Sequence, residues 1–377
     1  MKREIYLYND QKWNKKLDNS LDSNNSLVIC FGSSNPKFIE SGLNDITNIF
    51  KNSIIIGSSS AGEIYQDELY EKSLSVVVIK FEKTKLKLNI SKIDNMDQSY
   101  DIGCNIANNL AKDDLKSIFI LCDGLNINGS RLTRAIAKTV DNNVVVTGGL
   151  AADGEKVKNT WVLVDNKIKS NYVTSVGFYG DSFNVAYGSQ GGWKEFGKIR
   201  ITTKTRNNII YEIDSEPALE VYKRYLGDEA KDLPTSGLLY PLVILDEYSS
   251  NIKVRAILSI DEEKHSIGFA ADIPQNSKVK FMRASFNQLI DGAKKSTQNI
   301  SFSKYSNQEA INIAISCAGR KLVLGQKVEE ELEAVLDNLG DNVMQVGFYS
   351  YGEISPLSNG MCDLQNETMT LTLIWED

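Results

Sequence analysis

Leu27-Val28-Ile29-Cys30-Phe31-Gly32, followed further on by Ile54-Ile55-Ile56-Gly57-Ser58-Ser59-Ser60-Ala61-Gly62-Glu63, is the passage on which the architecture turns. Both segments are short apolar runs closed by glycine, the pattern of a buried strand. Between them Ile39, Leu43, Ile46 and Phe50 recur at the spacing of one helix face. Strand, helix and strand in so short a span predict two parallel strands joined by a right-handed crossover.

The passage occurs three times. Cys-x-Gly stands at Cys30-Phe31-Gly32, Cys122-Asp123-Gly124 and Cys317-Ala318-Gly319; Gly-x4-Gly-Glu runs from Gly57 to Glu63, from Gly149 to Glu155 and from Gly347 to Glu353. The cysteine and the first glycine of the pair are 27, 27 and 30 residues apart. Apolar runs at 118–121 and 311–315 precede the second and third cysteines, and runs at 144–146 and 343–346 lead into the glycines. Helical faces lie between them: Leu132, Ile136 and Val140, with Ser130 placed to cap, and Val328, Leu332, Val335 and Leu339. A further strand is expected after each unit, at 74–81, at 161–164 or 173–179, and at 369–375. There Met369-Thr370-Leu371-Thr372-Leu373 alternates as a half-buried antiparallel strand does.

Residues 196–306 break this rhythm. Strands are expected at 209–213, 254–260, 266–271 and 277–283, and helices at 217–226 and 285–295. The glycine-rich Gly188-Ser189-Gln190-Gly191-Gly192 marks a boundary. The expected fold class is α/β (α+β), with two domains, 1–195 and 196–377. Each is a set of mixed β-sheets with helices on the faces, built from repeated strand–helix–strand units.

The whole chain of 377 residues agrees with two sizeable domains at about 150 residues each. A hydrophobic share of 42% and a charged share of 24% are those of an ordinary folded chain and exclude disorder and collagen. The net charge is −7 and the lysines and arginines are scattered, so neither nucleic acid nor an anionic membrane has a basic stripe to meet. The longest apolar stretch, 238–245, is interrupted by Tyr240-Pro241 and falls far short of the about 20 residues of a membrane helix. Met1-Lys2-Arg3-Glu4-Ile5-Tyr6 alternates like a strand and lacks a signal peptide's apolar core. A cytoplasmic location without membrane insertion is expected. Five cysteines without a CxxC pair do not form a disulfide framework, and the single histidine, His265, excludes a histidine-rich metal site.

A phosphate-binding loop carries Lys and Ser/Thr after its second glycine; Glu63, Glu155 and Glu353 stand there instead and would repel phosphate. Nucleotide binding by this motif is rejected. The glycines are expected to turn the chain and the glutamates to cap an amide. Around Glu353, Tyr349, Ser350 and Tyr351 add polar-tipped aromatics suited to a small-ligand pocket. Cys30 and Cys122 read as small buried hydrophobes. Cys317 differs, because Arg320 follows and is expected to lower its thiol pKa.

Both motifs fall at carboxyl ends of strands, where open α/β sheets collect ligands. Cys317, Arg320 and residues 349–353 are therefore expected to face one crevice, with Ser58, Ser59, Ser60 and Glu63 forming the corresponding loop of the first half. His265, in Asp261-Glu262-Glu263-Lys264-His265, reads as an exposed hairpin turn. Arg255, the one charge within Val254-Arg255-Ala256-Ile257-Leu258, is either edge-exposed or aimed at an anion or carboxylate.

Ile56-Gly57-Ser58-Ser59-Ser60-Ala61-Gly62-Glu63-Ile64 resembles the signature of FIST N-terminal domains. Ser316-Cys317-Ala318-Gly319-Arg320, with Gly347-Phe348-Tyr349-Ser350-Tyr351-Gly352-Glu353-Ile354 and Asn366-Glu367-Thr368-Met369-Thr370-Leu371, resembles FIST C-terminal domains. Pro217-Ala218-Leu219-Glu220 and Val254-Arg255 fit the opening of that second domain. The resemblance spans nearly the whole chain and implies a cytoplasmic sensory module of bacterial signal transduction that binds small ligands, amino acids among them. Some members look like haem-binding nitric-oxide sensors that act on histidine kinases in two-component systems, and the second domain also occurs in F-box proteins.

The leading expectation is thus a small-molecule sensor with its pocket in the C-terminal half. Arg320 would hold a carboxylate bidentately and Glu353 an ammonium, between Tyr349 and Tyr351. No kinase, cyclase or methyl-accepting segment follows Asp377, so signalling in trans through a partner such as a histidine kinase is expected, and a homodimer is compatible with it. Two alternatives stand beside this. One is a haem-based gas sensor with His265 as axial ligand, haem being the one cofactor the sequence raises. The other is a Cys-dependent enzyme with Cys317 as nucleophile, activated by Arg320.

Overall fold

The computed structural model describes residues 1–154, 157–245, 253–300, 308–357 and 360–377. All three predicted crossovers are present. In the first unit, strands Ser26–Ser33 and Ile54–Ser60 run parallel around helix Glu40–Ile49. The second has Leu115–Cys122 and Val145–Leu150 around helix Gly129–Thr139. In the third, Ala310–Cys317 and Val343–Ser350 are joined through helices Ala318–Leu324 and Val328–Leu339. The architecture is α+β.

Each unit adds two more strands in the same order. Leu74–Lys80, Tyr172–Tyr179 and Met369–Glu376 lie antiparallel against the first strand of their unit. Outside them lie the strands that precede each unit, Lys2–Asn9, Lys85–Lys92 and Phe183–Gln190. Of the two stretches expected after the middle unit both are strands, the earlier as Val162–Val164.

The segment after each second strand leaves its own sheet. Glu63–Tyr65 of the first unit pairs with Val343–Ser350 of the third. Gly352–Pro356 of the third pairs with Val145–Leu150 of the second. Val162–Val164 of the second pairs with Ile54–Ser60 of the first. The exchange closes into a ring of three, in which every unit covers a neighbour's sheet edge. Residues on both sides of position 195 therefore share two of the sheets.

Inner faces of the three sheets meet in one core containing Phe31, Leu121, Phe178, Ile315 and Phe348, with Phe31 stacked on Phe348 at 4.8 Å between ring centroids. Helices cover the outer faces, where Ile46 and Phe50, Ile106 and Ile136, and Leu332 and Val335 are buried. At side-chain fractions of this kind, burial is worth roughly 25 cal/mol per Å2 of apolar surface and holds each helix to its sheet.

Register corrects the sequence motif in the middle unit. Gly57 lies opposite Cys30 and Gly347 opposite Ala314, but it is Gly148, not Gly149, that lies opposite Ile120. At each of these glycines a Cβ would fall on the facing carbonyl oxygen, at 2.5, 1.7 and 1.9 Å for Gly57, Gly347 and Gly148. The three cysteines consequently occupy different steps of the first strand: Cys122 lies two residues beyond the equivalent of Cys30, and Cys317 three. Glu155, the last residue of the middle motif, lies outside the described residues.

Strands between Lys194 and Arg283 form a fourth sheet inserted before the third unit, with helix Ala218–Leu226 packed on it through Leu219, Tyr222 and Phe281. The expected strand at 254–260 is two, Lys253–Arg255 and Ile257–Asp261. The expected helix after it is Phe286–Ser296, entered through a Ser285/Gln288 capping box. Helix Gly129–Thr139 is capped by Asn128, whose side chain accepts from the Arg131 amide, and not by Ser130, which sits inside the first turn. Among the described residues no helix is long and apolar enough to cross a membrane.

Candidate functional site

Because the units are arranged in a ring, the carboxyl ends of their strands meet. Backbone bonds stitch them: Ala61 N–H to the Tyr349 carbonyl and Tyr349 N–H to that of Gly62, both 2.9 Å, Tyr351 N–H to Leu150 at 3.2 Å, and Ala152 N–H to Ser59 at 3.1 Å. Ser59 also accepts the Trp161 amide on its hydroxyl, whereas the Ser58 hydroxyl is buried without a partner.

Glu63 and Glu353 do the same work in two units. Ser60 and Ser350, three residues earlier, donate to one carboxyl oxygen. The other oxygen accepts the amide and hydroxyl of Ser73 (3.1 and 2.7 Å) or of Thr368 (3.3 and 2.8 Å), the residues that open the next strand. Each glutamate thus locks the departing hairpin to its own unit. Burial pushes Glu63 up to about 7 and Glu353 up to about 8, against the pull of these donors. Unfolded, both titrate near the ordinary 4.5. Between that value and about 8 the native state therefore holds more protons, so this stabilisation is complete in acid and fades as pH rises through the folded values. Thermal melts are expected to show a higher Tm at pH about 5.5 than at about 8.5, with the difference shrinking in Glu353→Gln; a slope unchanged by that substitution would count against the glutamate as its source.

Arg320 is fully buried and lies on the far side of its helix from the cleft described below. Its guanidinium pairs with Glu331 at 2.6 Å and donates to the carbonyls of Leu289, at 2.9 Å, and Gly191. Glu331 in turn accepts from Tyr349, at 2.7 Å, and Ser316, at 3.0 Å. Arg320 and Tyr349 are therefore spent on each other's partner and not presented to a ligand. Glu331 had a legible signal: it falls with Val328, Leu332 and Val335 on the buried face of its helix. Arg255 is also buried, donating to the carbonyls of Asp272, Val254 and Leu364; burial lowers its pKa, with Asp363 and Asp272 pulling the other way.

A cleft of about 500 Å3 opens where the units meet the inserted sheet. The first unit supplies Ser33, Ser60, Glu63 and Lys72, the middle unit Asp153 and Val157. Cys317, Lys321, Ser350 and Tyr351 come from the third, and Thr235, Ile257 and Leu258 from the insertion. Of the residues expected at one crevice, Cys317, Ser350 and Tyr351 are brought together, with Ser60 and Glu63; Arg320, Tyr349, Glu353, Arg255, Ser58 and Ser59 are not on its wall. Sequence reading passed over Lys321. Adjacent helical residues point about 100° apart, so only one of Arg320 and Lys321 can face the cleft. It is Lys321, whose ammonium donates to the Ala61 carbonyl at 2.6 Å and to Glu71. Tyr351 donates to Asp153 and to the Gly154 carbonyl; exposed Val157, Leu258 and Leu322 give the rim its apolar groups.

The expectation of an activated Cys317 is corrected. Burial, then the nearby Glu367 and Glu353, push its thiol well above the ordinary value. Arg320 does not offset this, because its charge is committed to Glu331. The thiol is a protonated group on the cleft floor, which removes the basis for nucleophilic catalysis at neutral pH.

Haem does not fit His265. The ring stands in an exposed turn with φ 50°, bonded through Nδ1 to Glu220 at 3.0 Å, and lies outside the cleft. No axial-ligand role is derived for it.

A model of the FIST N domain matches residues 26–216, and one of the FIST C domain matches residues 218–356. The chain belongs to the FIST family. FIST domains are associated with the sensing of small ligands in signal transduction. No curated protein is significantly similar to the chain. The junction between the two FIST segments falls at the start of helix Ala218–Leu226 of the inserted sheet, and the FIST C match ends before Met369–Glu376, the strand that completes the third unit.

Proposed function

We propose that this FIST chain is a cytoplasmic receptor for a small carboxylate-bearing metabolite, an amino acid in the first instance, and that it signals in trans to a partner protein. The observation that carries this is the composition of the cleft wall. Three units and the inserted sheet each contribute to it, so a molecule bound there contacts four parts of the fold at once. A ligand shifts a conformational equilibrium only by its differential contacts with the two states, and contacts spread over several units are a way to supply that difference.

Lys321 takes the role first expected of Arg320. An ammonium has three N–H donors, of which two are used by Ala61 and Glu71, leaving one for a ligand carboxylate. The apolar rim of Val157, Leu258 and Leu322 suits the non-polar part of the same molecule.

Thermal shift against the twenty amino acids tests this. A ligand at a hundred times its Kd adds about 2.7 kcal/mol, a rise of several degrees for a chain of this size. Lys321→Met is expected to stay folded and lose the shift. A chain stabilised by none of the panel, or equally stabilised after Lys321→Met, would speak against the proposal.

A further inference from the structure

Among the described residues of the third unit, Glu331, Glu353 and Glu367 are completely buried, and two of them are fully served. Glu331 holds Arg320, Tyr349 and Ser316; Glu353 accepts from Ser350 and Thr368. Glu367 is as deeply buried, yet neither of its carboxyl oxygens has a hydrogen-bond partner. The same is true of both polar side-chain atoms of Asn366 beside it. Buried polar groups are nearly always paired, and an unpaired carboxylate is the costliest exception.

The internal symmetry supplies a control. Leu74, Val173 and Met369 lie opposite Gly32, Cys122 and Ser316, so Lys72, Asn171 and Glu367 are equivalent positions. All three have left-handed backbones, with φ 57°, 65° and 60°. Lys72 and Asn171 are exposed. In the third unit alone the position is sealed, under Trp193, whose indole N–H donates to the Glu367 carbonyl at 2.9 Å. One carboxyl oxygen lies against Gly319, where a Cβ would come within 2.4 Å of it. Gly319 and Cys317 both line the cleft.

We propose that Glu367 and Asn366 form an ammonium subsite beneath the cleft floor, reached beside Cys317 and Gly319, so that the ligand of this chain carries a primary amino group. The proposal rests on the cleft being the ligand site. A primary ammonium has three N–H donors, and the two oxygens of Glu367 with the side-chain carbonyl of Asn366 are three acceptors left without a partner. A quaternary ammonium has no donors and satisfies none of them. The charged and titratable groups facing Glu367 are Glu353, Arg320 and the Cys317 thiol. Burial and Glu353 push Glu367 up to about 8, with Arg320 pulling the other way, so a cation arriving near neutral pH displaces a proton.

Methylammonium chloride is the probe, titrated against the full chain at constant ionic strength with tetramethylammonium chloride as control. Calorimetry in two buffers of different ionisation enthalpy reads affinity and proton release together. Methylammonium is expected to bind with release of a proton, and more tightly at pH about 9 than at about 6. Tetramethylammonium is expected not to bind. Glu367→Gln, close to isosteric, is expected to weaken methylammonium at least tenfold and abolish the proton release. Equal affinity in Glu367→Gln and the unsubstituted chain overturns the subsite. Should Glu367→Gln not fold, Asn366→Ala decides by the same readout, and unchanged affinity there overturns it. An amino acid held through Lys321 by a chain indifferent to methylammonium also overturns the subsite, and leaves the receptor reading standing. Methylammonium binding lost in Glu367→Gln, with no response to the amino-acid panel, supports the subsite and counts against the receptor reading.

Discussion

Arg320→Met is expected to lower stability by about 3 to 5 kcal/mol, the cost of leaving one member of a buried ion pair unmatched. The guanidinium is fully buried and serves three acceptors, Glu331 and the carbonyls of Gly191 and Leu289. Removing it strands all three, and Glu331 loses the only formal positive charge in hydrogen-bond contact with it among the described residues. At roughly 2 to 4 °C per kcal/mol, Tm should fall by about 10 °C. Arg320→Met with Glu331→Leu should recover part of that, because no bare charge remains; the recovery is incomplete, since the Tyr349 and Ser316 hydroxyls then lack their acceptor. Urea denaturation of the two variants measures the difference. A double variant no more stable than the single would show that the pair is not what holds this helix pair to the third sheet.

Gly347→Ala is expected to be about as damaging for a different reason. Its Cβ would lie 1.7 Å from the Ala314 carbonyl oxygen, a backbone atom that moves only if the two parallel strands separate. Overpacking of side chains costs about 1 to 3 kcal/mol, and a backbone collision inside a sheet exceeds that range. Gly148→Ala, at 1.9 Å from the Ile120 oxygen, should behave alike, and Gly57→Ala, at 2.5 Å from that of Cys30, should be milder. Urea midpoints for the three variants test the ranking. A Gly347→Ala midpoint indistinguishable from that of the unsubstituted chain would remove the claim that these glycines mark one structural position.

The crossovers were legible because their signals are local. Ile39, Leu43, Ile46 and Phe50 share a helix face wherever that helix packs, and all but partly exposed neighbours on it are buried as the spacing requires. The presence of the second strands was legible for the same reason, from apolar runs that lead into Gly57 and Gly347, but the strands continue past these glycines to Ser60 and Ser350. The middle copy misled by one residue, since Gly148 and Gly149 are adjacent and only pairing with Ile120 distinguishes them. Cys317, Ser350, Tyr351, Ser60 and Glu63, singled out from the repeated motifs and their strand-end setting, do line the cleft. Arg320 was assigned to the ligand because a guanidinium can hold a carboxylate bidentately, whereas the helix turns Lys321 to the cleft and Arg320 to Glu331.

Sequence alone determined that three strand–helix–strand blocks follow one another, and that His-rich metal or phosphate-loop chemistry has no residues to use. All of these depend on interactions within a few turns of chain. Tertiary structure alone decided that each block lends a strand to the next in a closed ring, and that Glu367 is sealed where Lys72 and Asn171 are open. Pairing between distant strands and the loss of water around one carboxyl are set by what the remainder of the molecule places there, and no local pattern of residues encodes either.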